Sequence, residues 1–190
     1  MKVLITGTSQ GIGLAVAEHF LKEGHAVVGI DRQPAGIHHE RYCHYQCDVR
    51  DYEKLPDIQG VNILVNNAGT QNEEDIDINL KALIHITEKY GVQEEIRSVL
   101  NIGSASAHTG AEFPEYCASK GGILAYTKNG LGLLLVKGVE KTLLYTKKSL
   151  SPMQSVKQLY IQDITVLVFS HIESIYLRMK FFCYICTEEA

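Results

Sequence analysis

Apolar residues in the first 129 positions gather into short runs whose period alternates between strand-like and helix-like. Residues 2–6, KVLIT, form a compact β-branched run that predicts a buried strand. Leu14, Ala15, Ala17, Phe20 and Leu21 then fall at helical spacing, and Gly24 is a natural helix stop. Residues 25–30, HAVVGI, predict a second strand ending at Asp31, and residues 33–42 read as a loop. Residues 42–46 predict a third strand and 51–58 a short helix. Residues 61–65, VNILV, are continuously apolar, as in a parallel strand covered on both faces. A helix is expected over 73–89, with Ile76, Ile78, Leu80, Leu83, Ile84 and Ile86 as its apolar residues, and another strand over 97–102. Pro114 is placed to open a further helix. Gly121, Gly122 and Ala125 on that helix are small enough for close packing. Strands alternating with helices predict an α/β fold with a doubly wound, mainly parallel sheet and helices on both faces.

The pattern changes at Asn129. All 16 glycines lie at or before Gly138. Beyond, LLLV (133–136), TLLY (142–145) and ITVLVF (164–169) are apolar pieces without a clear period, and 172–186 suits helix or strand equally. No repeat, low-complexity tract or linker marks a second domain. The chain is expected to be one domain over 1–190, with 130–190 as an atypical C-terminal segment.

The first strand runs into Gly7-Thr8-Ser9-Gln10-Gly11-Ile12-Gly13, and a helix follows. Glycines there let backbone N–H groups approach a pyrophosphate, which the helix N-terminus stabilises. Asp31 closes the next strand at about the separation expected of an acid that holds a ribose hydroxyl. Strand, glycine turn, helix, strand and acid together point to a dinucleotide; the plainer reading is a tight turn without ligand. A carboxylate accepts from a 2′-hydroxyl and repels a 2′-phosphate. Gln10 supplies no positive charge to offset that, whereas Arg32 does. NAD is therefore expected, with NADP the lesser alternative.

The second chemical stretch is SASAHTGAEFPEYCASK, from Ser104 to Lys120. On a helix opened by Pro114, Tyr116 and Lys120 lie one turn apart on one face. A free tyrosine has a pKa near ~10, too high for proton exchange near neutrality, and an ammonium within ~4–6 Å lowers it. The phenol can then pass a proton to or from a substrate oxygen. A serine hydroxyl opposite can hold that oxygen as charge develops on it. Tyr-x-x-x-Lys alone is common on ordinary amphipathic helices, so the upstream motifs decide its meaning.

Composition narrows the partners. Lys+Arg number 18 and Asp+Glu 22, a formal net charge of −4, so no basic footprint for nucleic acid is present. The apolar start MKVLITG is too short for a secretory signal. The run from Thr165 to Cys186 is broken by His171, Glu173, Arg178 and Lys180, which argues against a membrane span. The five cysteines are an odd count, which points to a reducing, cytoplasmic setting. Cys43 and Cys47 flank His44, and Cys183 and Cys186 form a C-x-x-C, but neither group offers four ligands at zinc spacing. No metal is expected.

With Thr6-Gly7-x3-Gly11-x-Gly13, Asp31, Asp48-Val49, Asn66-Asn67-Ala68-Gly69, Asn79, Ser104 and Tyr116-x3-Lys120 in this order, the sequence resembles the short-chain dehydrogenase/reductase family. The resemblance covers residues 1 to about 129. It implies a Rossmann-like fold and an NAD(P)-dependent oxidoreductase acting on an alcohol/carbonyl pair. It also implies that Gly7, Gly11, Ile12 and Gly13 cradle the cofactor beside Gln10. Asp31 would bind the adenosine ribose, and Asp48 and Val49 would sit by the adenine. Asn67, Ala68 and Gly69 would line the cofactor. Ser104 would orient the substrate carbonyl, Tyr116 would be the acid/base, and Lys120 would hold the nicotinamide ribose and tune Tyr116. Asn79 would help a water relay protons to Lys120. Dimers or tetramers through the Tyr116 helix are implied as well. The segments from Val49 to Asn66 and from Gly69 to Asn79 are shorter than the family's. The family's substrate lid and glycine-bearing last strand are not recognisable, Ser151-Pro152-Met153 being a faint echo. Two rivals follow from that ending: a cofactor sensor without turnover, and an incomplete enzyme with little activity.

Overall fold

The computed structural model describes residues 1–129 together with the backbone of two further strands, at 140–145 and 165–168. In chain order the elements begin β1 (Lys2–Thr6), α1 (Gly11–Lys22), β2 (Ala26–Asp31), β3 (Tyr42–Gln46) and β4 (Ile63–Asn66). A π-helix (Ile76–Lys81) then runs directly into α2 (Ala82–Tyr90), followed by β5 (Ser98–Ile102), α3 (Ser106–Thr109) and α4 (Pro114–Asn129). The last two are β6 (Glu140–Tyr145) and β7 (Thr165–Val168). They form one sheet in the order β3-β2-β1-β4-β5-β6-β7. Every neighbouring pair is parallel except β6 with β7. This is the doubly wound α/β architecture that the alternation of runs predicts.

Strand β1 shows why the runs are continuously apolar. Its alternate residues point to opposite faces. Val3 and Ile5 join Val27, Val65 and the α1 residues Val16, Ala17 and Leu21 in one cluster. Leu4 joins Val28, Ile30 and Leu64 with Ile78, Ala82, Ile86 and Tyr90 in the other. Both faces of the strand are thus covered, and Val3, Leu4 and Ile5 have no exposed surface.

Two expectations need correction. Residues 51–58 form no helix. The segment lies against α2, whose side chains satisfy its carbonyls in place of helical bonds. Lys89 Nζ donates to Leu55 O at 3.0 Å and Tyr90 Oη to Pro56 O at 2.7 Å. Gln93 Nε2 donates to Ile58 O at 2.7 Å. Leu55, Ile58 and Val61 are buried without helical geometry. The helix expected over 73–89 is present but begins later, at Ile76, and its first part is the π-helix. There α4 comes close: a Cβ on Gly122 would lie 2.5 Å from Leu80 Cδ2. A π-turn is a common device at functional sites.

At the far edge, the expectation of an unpatterned tail meets two strands. β6 pairs with β5 from Ser98↔Glu140 to Ile102↔Leu144, and β7 pairs with β6. The run 133–136, Ser151-Pro152-Met153, the stretch 172–186 and the Cys183/Cys186 pair lie outside the described residues.

Candidate active site

The sheet winds from β1 outward to β3, then returns to β4 on the other side of β1. The strand order therefore reverses between β1 and β4, and the carboxyl ends of such strands are the usual ligand position in these sheets. Thr6 and Asn67 knit this seam. Thr6 Oγ1 accepts from the backbone N–H of both Asn67 and Ala68 at 3.0 Å. Asn67 Nδ2 donates to Thr6 O at 2.9 Å and Gly7 O at 3.1 Å.

The glycines of the turn divide their work. A Cβ on Gly13 would run into Gly7 O and Asn67 Nδ2, so Gly13 lets α1 pack against the seam. Gly7 has φ +76°, and a Cβ there would lie 2.8 Å from Asn67 Nδ2. Gly11 has φ +61° with nothing within 4 Å of an added Cβ. Its outer face is open at the N-terminus of α1, where unpaired N–H groups collect. Gln10, the residue before α1, is exposed, and Ile12 is half-buried. Asp31 turns back to this loop: Oδ2 accepts from Ser9 N and Oδ1 from Gln33 N, both at 2.9 Å. An open glycine face at a helix end with an anchored acid beside it fits a dinucleotide.

Beneath Asp31 runs a hydrogen-bond chain that sequence reasoning missed. His44 Nε2 lies 2.9 Å from Gln33 O. A carbonyl only accepts, so Nε2 carries a proton there, and Nδ1 shares a hydrogen bond with Tyr42 Oη at 2.9 Å. Tyr42 Oη in turn shares one with Thr8 Oγ1 at 2.8 Å. Burial pushes the Tyr42 phenol up, the Thr8 bond opposes this, and Asp31 and Cys43 add to it. The available signal was Gly29 inside β2, because a Cβ there would strike Tyr42 Oη and Thr8 Oγ1.

Asp48 is occupied rather than open. Arg50 grips it through Nε at 3.0 Å and Nη2 at 2.7 Å, and reaches Glu74 through Nη1. The bonds to Arg50 hold the Asp48 carboxyl below its usual range despite partial burial. Val49 is buried in the core. Ala68 is half-buried and Gly69 exposed, with a Cβ on Gly69 meeting Asn79 Oδ1 at 3.1 Å.

Ser104, Tyr116 and Lys120 come together at the carboxyl end of β5 and on α4. Ser104 is 3 % exposed and shares a hydrogen bond with Ser106 Oγ at 3.1 Å. Lys120 is 6 % exposed, lies 5.7 Å from the Tyr116 ring centroid, and donates from Nζ to Ile102 O at 2.9 Å. Burial lowers its pKa from 10.5 to about 8, against which Asp75 works. The Tyr116 phenol lies above its ordinary value, against the lowering expected of it. Burial raises the phenol, a hydrogen bond from Ser104 lowers it, and Glu112, Asp75 and Cys117 raise it.

Asn79 is a clamp. Its Oδ1 accepts from Thr70 N at 2.8 Å, and its Nδ2 donates to Thr70 O at 2.9 Å and Ser119 Oγ at 3.1 Å. Ser119 Oγ donates onward to Tyr116 O at 2.8 Å. Ser106 and Ser119 were not singled out from the sequence, since buried serines carry no periodic signal.

Residues 1–157 match the family model described as short chain dehydrogenase. The chain belongs to this family. Human 15-hydroxyprostaglandin dehydrogenase (NAD+) is 32% identical over 158 residues, which cover 66% of this chain and 59% of that protein. The chain thus spans little more than half the length of that relative. The 3-oxoacyl-(acyl-carrier-protein) reductase FabG of Haemophilus influenzae is 28% identical over 168 residues, 72% of this chain and 69% of the reductase. Among solved structures, a short chain dehydrogenase/reductase family oxidoreductase from Burkholderia thailandensis superposes with TM-score 0.71 at 25% identity. That match covers 80% of this chain and 70% of the other.

Proposed function

We propose that this short-chain dehydrogenase is an oxidoreductase that moves a hydride between NAD(H) and a small alcohol/carbonyl pair. The observation that carries the reading is the convergence of buried Ser104 and Lys120 with half-buried Tyr116 at the carboxyl end of the sheet, the same end as the open glycine turn. A nicotinamide bound there supplies the hydride acceptor or donor. Tyr116 takes the hydroxyl proton of an alcohol, or returns one to a carbonyl oxygen. Ser104 donates to that oxygen and steadies it as charge grows. Lys120 offers further N–H donors beyond its bond to Ile102 O, which suit ribose hydroxyls.

NAD is favoured over NADP because the Asp31 carboxylate is fixed by two backbone N–H groups at the edge of the glycine turn. The name of the human relative agrees with that choice. Free thiols at Cys43, Cys47 and Cys117 suit the cytoplasm. Self-association through α4 belongs to the same reading: Ala118 and Ala125 are exposed, and Gly121 would meet nothing within 4 Å. Sedimentation of the full chain as a monomer would remove that part. The central test is a steady-state assay of the full chain over a panel of alcohols and ketones with NAD(H) and NADP(H). NAD-linked turnover is expected; cofactor binding without turnover across the panel would favour a sensor.

A further inference from the structure

Asp75 is the buried titratable group that the proposed reaction leaves unused. It has no exposed surface. Its Oδ1 accepts from Asn72 N at 3.0 Å and, more weakly, from Asn79 Nδ2 at 3.4 Å. Its Oδ2 has no hydrogen-bond partner among the described residues. A carboxylate held out of water with one oxygen unpaired is expensive unless a positive group compensates it.

The surroundings contain such a group. Asp75 immediately precedes the π-helix, and the Asn79 and Ser119 side chains link it to α4. Asn79 Nδ2 reaches both Asp75 Oδ1 and Ser119 Oγ, and Ser119 Oγ donates to Tyr116 O. Ser119 is the residue before Lys120. Lys120 is a buried ammonium with three donors and a single described acceptor, Ile102 O. A buried anion short of donors and a buried cation short of acceptors therefore lie on the two sides of one hydrogen-bonded bridge.

We propose that Asp75 is a positioning residue of the reaction centre: it is the buried anion that balances the Lys120 ammonium, across the bridge that Asn79 and Ser119 form to the Tyr116–Lys120 turn. This rests on reading Ser104, Tyr116 and Lys120 as that centre. The direction of each electrostatic effect agrees. Asp75 raises Lys120 against the lowering by burial, and it raises Tyr116 along with Glu112 and Cys117. Charged neighbours along the chain are Glu74, which pairs with Arg50, and Asp77, which pairs with Lys81. The role follows from the balance. With the anion present the lysine keeps its proton to higher pH and stays a donor.

The test follows Lys120 itself. In the full chain labelled with 13Cε-lysine, the Lys120 signal is assigned by its loss in Lys120→Met and titrated by NMR. Asp75→Asn keeps the shape and removes the charge, and should move the Lys120 midpoint down by about one pH unit. Ser119→Ala cuts the bridge and keeps the charge, and should leave the midpoint within a few tenths. An unmoved midpoint in Asp75→Asn overturns the proposal, as does an equal shift in both variants. The unsubstituted chain gives a check that needs no variant to fold: the Asp75 13Cγ signal should inflect at the Lys120 midpoint, and a flat trace there overturns the pairing. A shifted midpoint in a chain without turnover on any alcohol supports the pairing and defeats the proposed reaction instead.

Discussion

On the β1–β3 side of the seam, the groups that shape the site are mostly backbone: glycine turns, strand-end carbonyls and N–H groups aimed at Asp31. On the β5–α4 side they are buried side chains, including Ser104, Asn79, Asp75, Ser119 and Lys120. The first side gains its shape from the absence of Cβ atoms. The second gains it from polar groups removed from water, each of which must be matched by another. The difference teaches where each side is fragile. The backbone side should fail first through steric insertion. The side-chain side should fail through loss of single atoms or charges and be sensitive to pH.

The largest expected effect falls on the side-chain side. Tyr116→Phe removes one oxygen and should lower turnover by about 10³-fold, within the range of general acid–base catalysis. Cofactor affinity, read by calorimetric titration, should change little. A variant with near-normal rates would falsify the assignment. On the backbone side, Gly13→Val drives a side chain into Gly7 O and Asn67 Nδ2 and should destabilise folding by about 3 kcal/mol. Gly11→Ala meets open space and carries only the left-handed backbone penalty of about 1 kcal/mol. Urea melts of the two variants should differ accordingly; equal losses would break the division of labour between the glycines.

Lys120 tests the sensitivity to pH. A lysine with a folded pKa of about 8 against an ordinary 10.5 holds its proton less tightly folded than unfolded. The folded chain therefore carries the full penalty below pH 8 and sheds it as pH rises from 8 to 10.5. The penalty is about 3 kcal/mol. With Asp75→Asn in place, so that no buried anion is left unpaired, adding Lys120→Met should accordingly raise the melting point at pH 7, by a gap that closes toward pH 10.5. A gap independent of pH would show that the buried charge is not what matters. A small effect, on cofactor choice alone, is expected at Asp31. Asp31→Ala should narrow the preference for NAD over NADP by about tenfold, the scale of one charge-assisted hydrogen bond, as read by comparative titration. Tighter NADP(H) binding by the unsubstituted chain would reverse the cofactor choice.

The same contrast explains what the sequence discloses. Runs such as KVLIT and VNILV are legible because both sheet faces are buried, and the glycine turn is legible because few residues tolerate its geometry. Tyr116 and Lys120 are legible through their spacing on one helix. Asp75, Ser106 and Ser119 are not, because their meaning comes from partners on other elements. The missing helix at 51–58 was misread for a related reason. Its hydrogen bonds go to Lys89, Tyr90 and Gln93, which no local pattern announces.

That connection also constrains the order in which the molecule assembles. The bonds from Lys89 to Leu55 and from Tyr90 to Pro56 each span 34 residues. The link between β3 and β4 therefore cannot settle by local propensity; it waits for the end of α2 to be made and docked, a non-local closure of the slow kind. A nascent chain that has released β4 but not α2 should leave Leu55, Ile58 and Val61 uncovered. In pulsed hydrogen exchange during refolding, the amide of Val61, which donates to Gln93 Oε1, should gain protection no earlier than the amides of α2. Earlier protection there would mean that the nucleotide-side half folds by itself.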